Sequence, residues 1–181
     1  MQTFHDACAS RDFDKARAVF QLGGETHAHV RRLFPEACYT GDLVVAQWLF
    51  GLGGVDIHAE DDEVFRWACA NGHLDVAQWL LSLGGVDIHA KYDEAFRWTC
   101  HGGHLVVAKW LAGLGCDMHA HHDLAFQWAC AQGHLGLGRW LIAMDPSRDW
   151  PSEGLRALQM WSKPRDVWMR TVLTFRGMVG H

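Results

Sequence analysis

The stretch DEVFRWACANGHLDVAQWLLSLGGVDIHA, residues 62–90, returns as DEAFRWTCHGGHLVVAKWLAGLGCDMHA at residues 93–120. A partial third copy, DLAFQWACAQGHLGLGRWLI, occupies residues 123–142. Three rulers measure the same period. Cys8, Cys38, Cys69, Cys100 and Cys130 stand 30, 31, 31 and 30 residues apart. Trp48, Trp79, Trp110 and Trp140 keep step with them, as do the Gly-His-Leu triplets beginning at Gly72, Gly103 and Gly133. A fixed period of this length is the signature of a stacked repeat array.

Within one unit the spacing predicts two helices. Phe65, Ala68 and Cys69 fall at i, i+3 and i+4, one face of a short amphipathic helix. Asn71 and Gly72 interrupt it, glycine being suited to a left-handed helix end. Leu74, Ala77, Trp79, Leu80 and Leu81 predict a second helix that stops at Gly84 and Gly85. Residues 86–93 are then expected to form a short extended connector to the next unit. One such unit cannot bury its own apolar face, so stacking must do it.

Residues 68–90, ACANGHLDVAQWLLSLGGVDIHA, resemble the ankyrin repeat, with its small-residue pair, Gly-His-Leu turn, apolar second helix and closing Asp-x-His-Ala. The resemblance covers residues 1–144 as five units, at about 1–28, 29–59, 60–90, 91–120 and 121–144, followed by a helical C-terminal cap and tail at 145–181. This tryptophan-rich dialect is similar to ankyrin arrays of giant DNA viruses and protists. It implies an all-α, ankyrin-type helix-pair solenoid with short connectors. Two departures stand out. The family's Thr-Pro-Leu-His is replaced by sequences such as Glu63, Val64, Phe65, Arg66, so the threonine cap and the histidine tie between repeats are expected to be missing. The connector is about three residues short, so the projecting fingers should be clipped. Unit one, with Arg11 and Asp12 at the turn, reads as an N-terminal cap. Unit two carries Pro35, which is expected near a helix start.

The bulk composition narrows the function. The chain has 181 residues, 49% hydrophobic and 20% charged, as folded chains do. No apolar run approaches the roughly 20 residues of a membrane span. The first residues, MQTFHDACASRDFDKAR, show no apolar leader core, so an intracellular setting is expected, with organellar import left open. Residues 1–144 hold 17 acids against 10 bases, and residues 145–181 hold 4 against 6. That balance opposes nucleic-acid binding except through the basic tail. Equivalent cysteines of stacked helices sit about 8–10 Å apart, beyond the ~7 Å reach of a disulfide. They are expected as reduced core thiols, which points to a reducing compartment.

Catalysis finds no foothold. There is no Gly-x-Ser-x-Gly, no phosphate loop and no His-Glu-x-x-His. Thirteen histidines raise the question of metal, but ladder histidines about 8–10 Å apart cannot share one zinc. The histidines of the Gly-His-Leu turns are expected to bond neighbouring backbone, as the resemblance implies. Neither a cofactor nor a metal is expected. The two tryptophan ladders, one per helix of the pair, fit the grooves between stacked helices, with an exposed aromatic strip as the alternative. Trp161 and Trp168, among Lys163, Arg165 and Arg170, leave a weak nucleic-acid or acidic-protein reading open.

Ankyrin-like frames imply partners at the connector tips and on the concave side of the first helices, where residues vary from unit to unit. The candidates are Asp61 and Asp62, Lys91 and Tyr92, and His121 and His122 at the tips, with Tyr39, Arg66, Asn71, Arg97, His101, Gln127 and Gln132 on the helices. The expected function is non-catalytic protein binding. The alternative is a permanent subunit of a large multiprotein or ribonucleoprotein assembly.

Overall fold

The computed structural model describes residues 4–21 and 26–161. Eleven helices and no strand occur among them. They form consecutive antiparallel pairs: α1 (Phe4–Ala9) with α2 (Phe13–Gln21), α3 (Thr26–Thr40) with α4 (Leu43–Gly51), α5 (Ala59–Ala70) with α6 (Leu74–Ser82), α7 (Ala90–Gly102) with α8 (Leu105–Gly113), and α9 (Ala120–Ala131) with α10 (Leu135–Met144). A last helix, α11 (Ser152–Trp161), lies on α9. No helix among the described residues is long and apolar enough to cross a membrane.

The period seen in the sequence is the period of the core. Phe34, Phe65, Phe96 and Phe126 make one fully buried column along the first helices. Cys38, Cys69, Cys100 and Cys130 stand one turn further on, and Leu49, Leu80, Leu111 and Leu141 face them from the second helices, all at 0% exposure. Losing one such phenylalanine costs about 3–5 kcal/mol. All six cysteines are free and buried. Burial pushes the Cys8 thiol up to about 11 and Cys38 up to about 12, so they pack as small hydrophobes rather than react.

The Gly-His-Leu turn ties neighbouring units together. Gly72 has φ +84°, and a Cβ there would lie 2.4 Å from Nδ1 of His104 in the next unit. Gly41 and Gly103 receive His73 and His134 in the same way. Nε2 of His73 lies 2.9 Å from the Tyr39 carbonyl, and that of His134 lies 3.0 Å from the His101 carbonyl. The expected backbone role of these histidines is therefore visible in the geometry. Burial, followed by the neighbouring His73 and His134, holds His104 below the ordinary histidine value. Unit one lacks the glycine, and Arg11 takes the left-handed position itself at φ 56°. Its guanidinium pairs with Asp42 at 3.0 Å.

Two expectations change. Pro35 lies inside α3, which starts at Thr26, because Val30, Leu33, Phe34, Ala37 and Cys38 form one continuous buried stripe across it. The connectors are not extended up to the next unit. Residues 60–62, 91–93 and 121–123, which open α5, α7 and α9, have φ between 51° and 62°. Each of these three helices thus begins with a left-handed turn before the right-handed helix takes over. Residues 162–181, the rest of the expected helical cap and the basic tail, lie outside the described residues.

Candidate functional site

Three consecutive non-glycine residues in the left-handed region cost about 1–2 kcal/mol each. Something must hold them, and the repeat supplies it twice over. Asp56, Asp87 and Asp117 each accept the backbone N–H two residues on, at 2.8–2.9 Å, which turns the chain into the tip. The histidine so positioned meets the aspartate four residues later. Nδ1 to Oδ1 is 2.6 Å for His58 and Asp62, 2.8 Å for His89 and Asp93, and 2.6 Å for His119 and Asp123. These three aspartates are buried. The left-handed turn is closed from the far side by a residue of the helix it precedes. Arg66 donates to the carbonyls of Glu60 and Asp61, and Arg97 to those of Lys91 and Tyr92. Gln127 does the same for His122 at 2.9 Å.

Arg66 has a second duty. It forms a salt bridge with Glu94 of the next unit. Where the family's histidine tie was expected to be missing, an arginine and a glutamate supply a different one. Asp62 likewise reaches forward, its Oδ2 accepting the Asp87 N–H at 2.9 Å. At the last unit Arg148 takes up the equivalent aspartate, its Nε 2.8 Å from Asp123 Oδ1.

These bonds sort the candidate residues. Asp62, Arg66 and Arg97 are 5%, 7% and 8% exposed and belong to the frame of the tips. Asn71 is half-buried and donates to the Trp67 carbonyl at 2.8 Å, closing its own helix. Gln127 is half-buried on its tip carbonyl. The outward set is smaller. Asp61 and Lys91 face each other across adjacent tips at 3.7 Å. Tyr92 is 75% exposed, with the His121 ring edge-on to it at 5.3 Å. His122 is exposed beside them. Among the described residues no three metal-ligating side chains converge.

The tryptophans divide. Trp48, Trp79, Trp110 and Trp140 on the second helices are half-buried against the core. Those on the first helices are not used that way. Trp67 and Trp98 are 36% and 42% exposed, and Trp128 is half-buried beside them. The Trp98 and Trp128 rings lie 5.1 Å apart, with His101 at 5.3 Å and 5.5 Å from each. Tyr39, 52% exposed, meets Trp67 edge-on at 6.1 Å. Gln132 Nε2 stands 3.1 Å from His101 Nε2. The result is an open aromatic strip across α3, α5, α7 and α9. Their spacing could have placed these tryptophans outside: Trp67 stands two residues from both Phe65 and Cys69, about 200° round a helix from either.

Against known proteins, the family model of ankyrin repeats, in three copies, matches residues 33–149. No curated protein sequence is significantly similar to the chain.

Proposed function

The chain belongs to the ankyrin-repeat family, whose members are generally protein–protein interaction modules, and on that premise we propose that it binds a partner protein, without catalysis, through the aromatic strip and the adjoining tips. One observation carries this reading. Four large rings, Tyr39, Trp67, Trp98 and Trp128, line up on the side of the first helices that the stacking does not need. Aromatic rings with little conformational freedom are the side chains that most often anchor a protein interface. The tips at Lys91, Tyr92, His121 and His122 border the strip and differ from unit to unit on a constant frame. Trp150 packs on Phe126 at a ring distance of 4.7 Å, and Arg148 occupies Asp123, which supports reading residues 145–161 as the cap that closes the stack. Free, buried thiols support a reducing compartment.

The test is a comparison of partners captured by the full chain and by a Trp67→Ala, Trp98→Ala variant of unchanged circular dichroism and melting temperature. Loss of a specific partner supports the reading. Retention of the same partners in fixed stoichiometry replaces it with a permanent subunit docked through another face.

A further inference from the structure

Arg66 and Arg97 occupy the same position in successive units, and each holds two carbonyls of the left-handed turn before it. Arg66 completes its set with Glu94. Arg97 does not. In the next unit the position of Glu94 is taken by Leu124, and among the described residues no carboxylate forms a salt bridge with Arg97. Its Nε and Nη2 are used on Tyr92 and Lys91, and among the described residues no hydrogen bond reaches Nη1. The side chain is nevertheless nine-tenths buried. Burial pulls its guanidinium below the ordinary value, only partly offset by Asp93, a carboxylate already bound to His89. Nη1 still touches solvent, so the guanidinium keeps one accessible N–H edge in an otherwise buried setting, where a carboxylate is held more strongly than at an open surface.

The surroundings say where the partner would come from. His101 follows Arg97 by four residues on α7, and Trp128 follows Leu124 by four on α9. Residues four apart lie one above the other on a helix face, about 5–6 Å apart. The Arg97–Leu124 level is therefore one turn from the Trp98–His101–Trp128 cluster. The exposed charges differ along the stack. On the first helices and tips the exposed acids Glu36, Glu60 and Asp61 lie in the first half with Arg31 and Arg32, and the tip residue Lys91 lies in the second, where Asp87 and Asp117 are the exposed acids of the connectors. There the carboxylates Asp93 and Asp123 are buried and engaged.

We infer that the junction of α7 and α9 receives an aspartate or glutamate side chain of the partner polypeptide on Arg97, while an apolar or aromatic neighbour of that residue packs on the Trp98–His101–Trp128 cluster. This rests on the binding face proposed above and names its chemistry. The partner supplies in trans the carboxylate that Glu94 supplies to Arg66 in cis.

A displayed library of random dodecapeptides, with both ends joined to the carrier so that only side-chain carboxylates are offered, tests this on the full chain. Wild-type protein should enrich peptides with an acidic residue close to an aromatic or large apolar one. Changing that acid to its amide should weaken binding at least tenfold. Leu124→Glu fills the site from within and should lose the acidic consensus, whereas Leu124→Gln should keep it. A consensus without acids, an acidic consensus that survives Leu124→Glu, or no enrichment would overturn the inference. If Leu124→Glu failed to fold, the acid-to-amide peptides on wild-type protein would still decide. Acid-free peptides that bind and are lost with Trp98→Ala would sink the carboxylate site and leave the aromatic binding face standing. Acidic peptides indifferent to Trp98→Ala would remove the face and the inference with it.

Discussion

Units two and three begin in opposite ways. In unit two, α3 runs right-handed from Thr26 to Thr40. In unit three, α5 starts with three left-handed residues before turning right-handed. The two sequences explain the difference residue by residue. His58 finds Asp62 four residues on, but the matching His27 is followed by Arg31. Arg66 binds the tip carbonyls, but the matching position holds Pro35, which has no donor at all. Without an aspartate to fix the histidine and a donor to hold the carbonyls, a left-handed turn has nothing to offset its cost, and the chain stays helical. The turn is therefore held by its third residue, the aspartate, and by the histidine and the donor that flank it, not by its first two residues. Those residues, Glu60 and Asp61, Lys91 and Tyr92, His121 and His122, vary freely. A binding surface built this way can change its tips without changing its fold.

The largest effect that could break this comparison comes from Arg66→Met. It removes both carbonyl bonds and leaves Glu94 without its cation, so the expected loss is about 3–5 kcal/mol, read from urea midpoints. Arg97→Met should cost less, since it leaves no stranded glutamate. Equal losses for the two would mean that the Glu94 bridge contributes nothing.

In the reverse direction, Pro35→Arg should sharpen it. Proline inside a helix forfeits one backbone bond and crowds the preceding turn, a penalty of about 3 kcal/mol in an unadapted helix. The substitution also restores a guanidinium facing Glu63, as Arg66 faces Glu94. A gain of about 1–2 kcal/mol is expected. A loss would show that the packing of α3 on its neighbours is adapted to the proline.

The same contrast sets an order of opening. The junction between units two and three lacks both the arginine–glutamate bridge and a left-handed tip on its first side. That between units four and five, also without the bridge, keeps its tip bonds and is covered by α11, so the first two units should separate ahead of the rest. Native-state alkylation at low denaturant should label Cys8 and Cys38 before Cys69 and Cys130. Without opening, labelling should be slow at every ladder position. At pH 9 a thiol of ordinary value 9.0 is half ionised, whereas Cys38, pushed up to about 12, presents about five-hundredfold less thiolate. Equal rates across the ladder would show that the array opens as one unit.

Most of the architecture was legible because stacking forces buried positions to repeat: the columns of Phe65, Cys69 and Leu80 are the period itself. The exposed strip was half legible. Trp67 lies off the buried face by its spacing, but a large ring invites assignment to the core. The left-handed turns were not legible. Lys91 and Tyr92 carry no signal for that backbone, and the residue that holds them, Arg97, lies five and six positions away. Pro35 misled for a related reason: proline usually opens helices, and only the stripe of Val30 and Leu33 before it shows that the helix has already begun. For the binding surface, variation between units pointed to the tips but could not say which of their side chains face outward, since burial of Asp62 and Arg66 depends on bonds to Asp87 and Glu94, distant in the chain.

The smallest effect separates glycines that make turns from glycines that do not. Gly72→Ala meets both a left-handed φ of +84° and the His104 ring, and should cost at least about 1 kcal/mol. Gly136 lies inside α10, where an added Cβ would touch nothing within 4 Å. Alanine there gains helix propensity and should stabilise the chain by about 0.5–1 kcal/mol. A melting temperature raised by Gly136→Ala and lowered by Gly72→Ala would place the constraint in the turn and its histidine. If Gly136→Ala were also destabilising, open space beside α10 would be needed for something else, and the outer face of the second helices would become the next surface to probe for a partner.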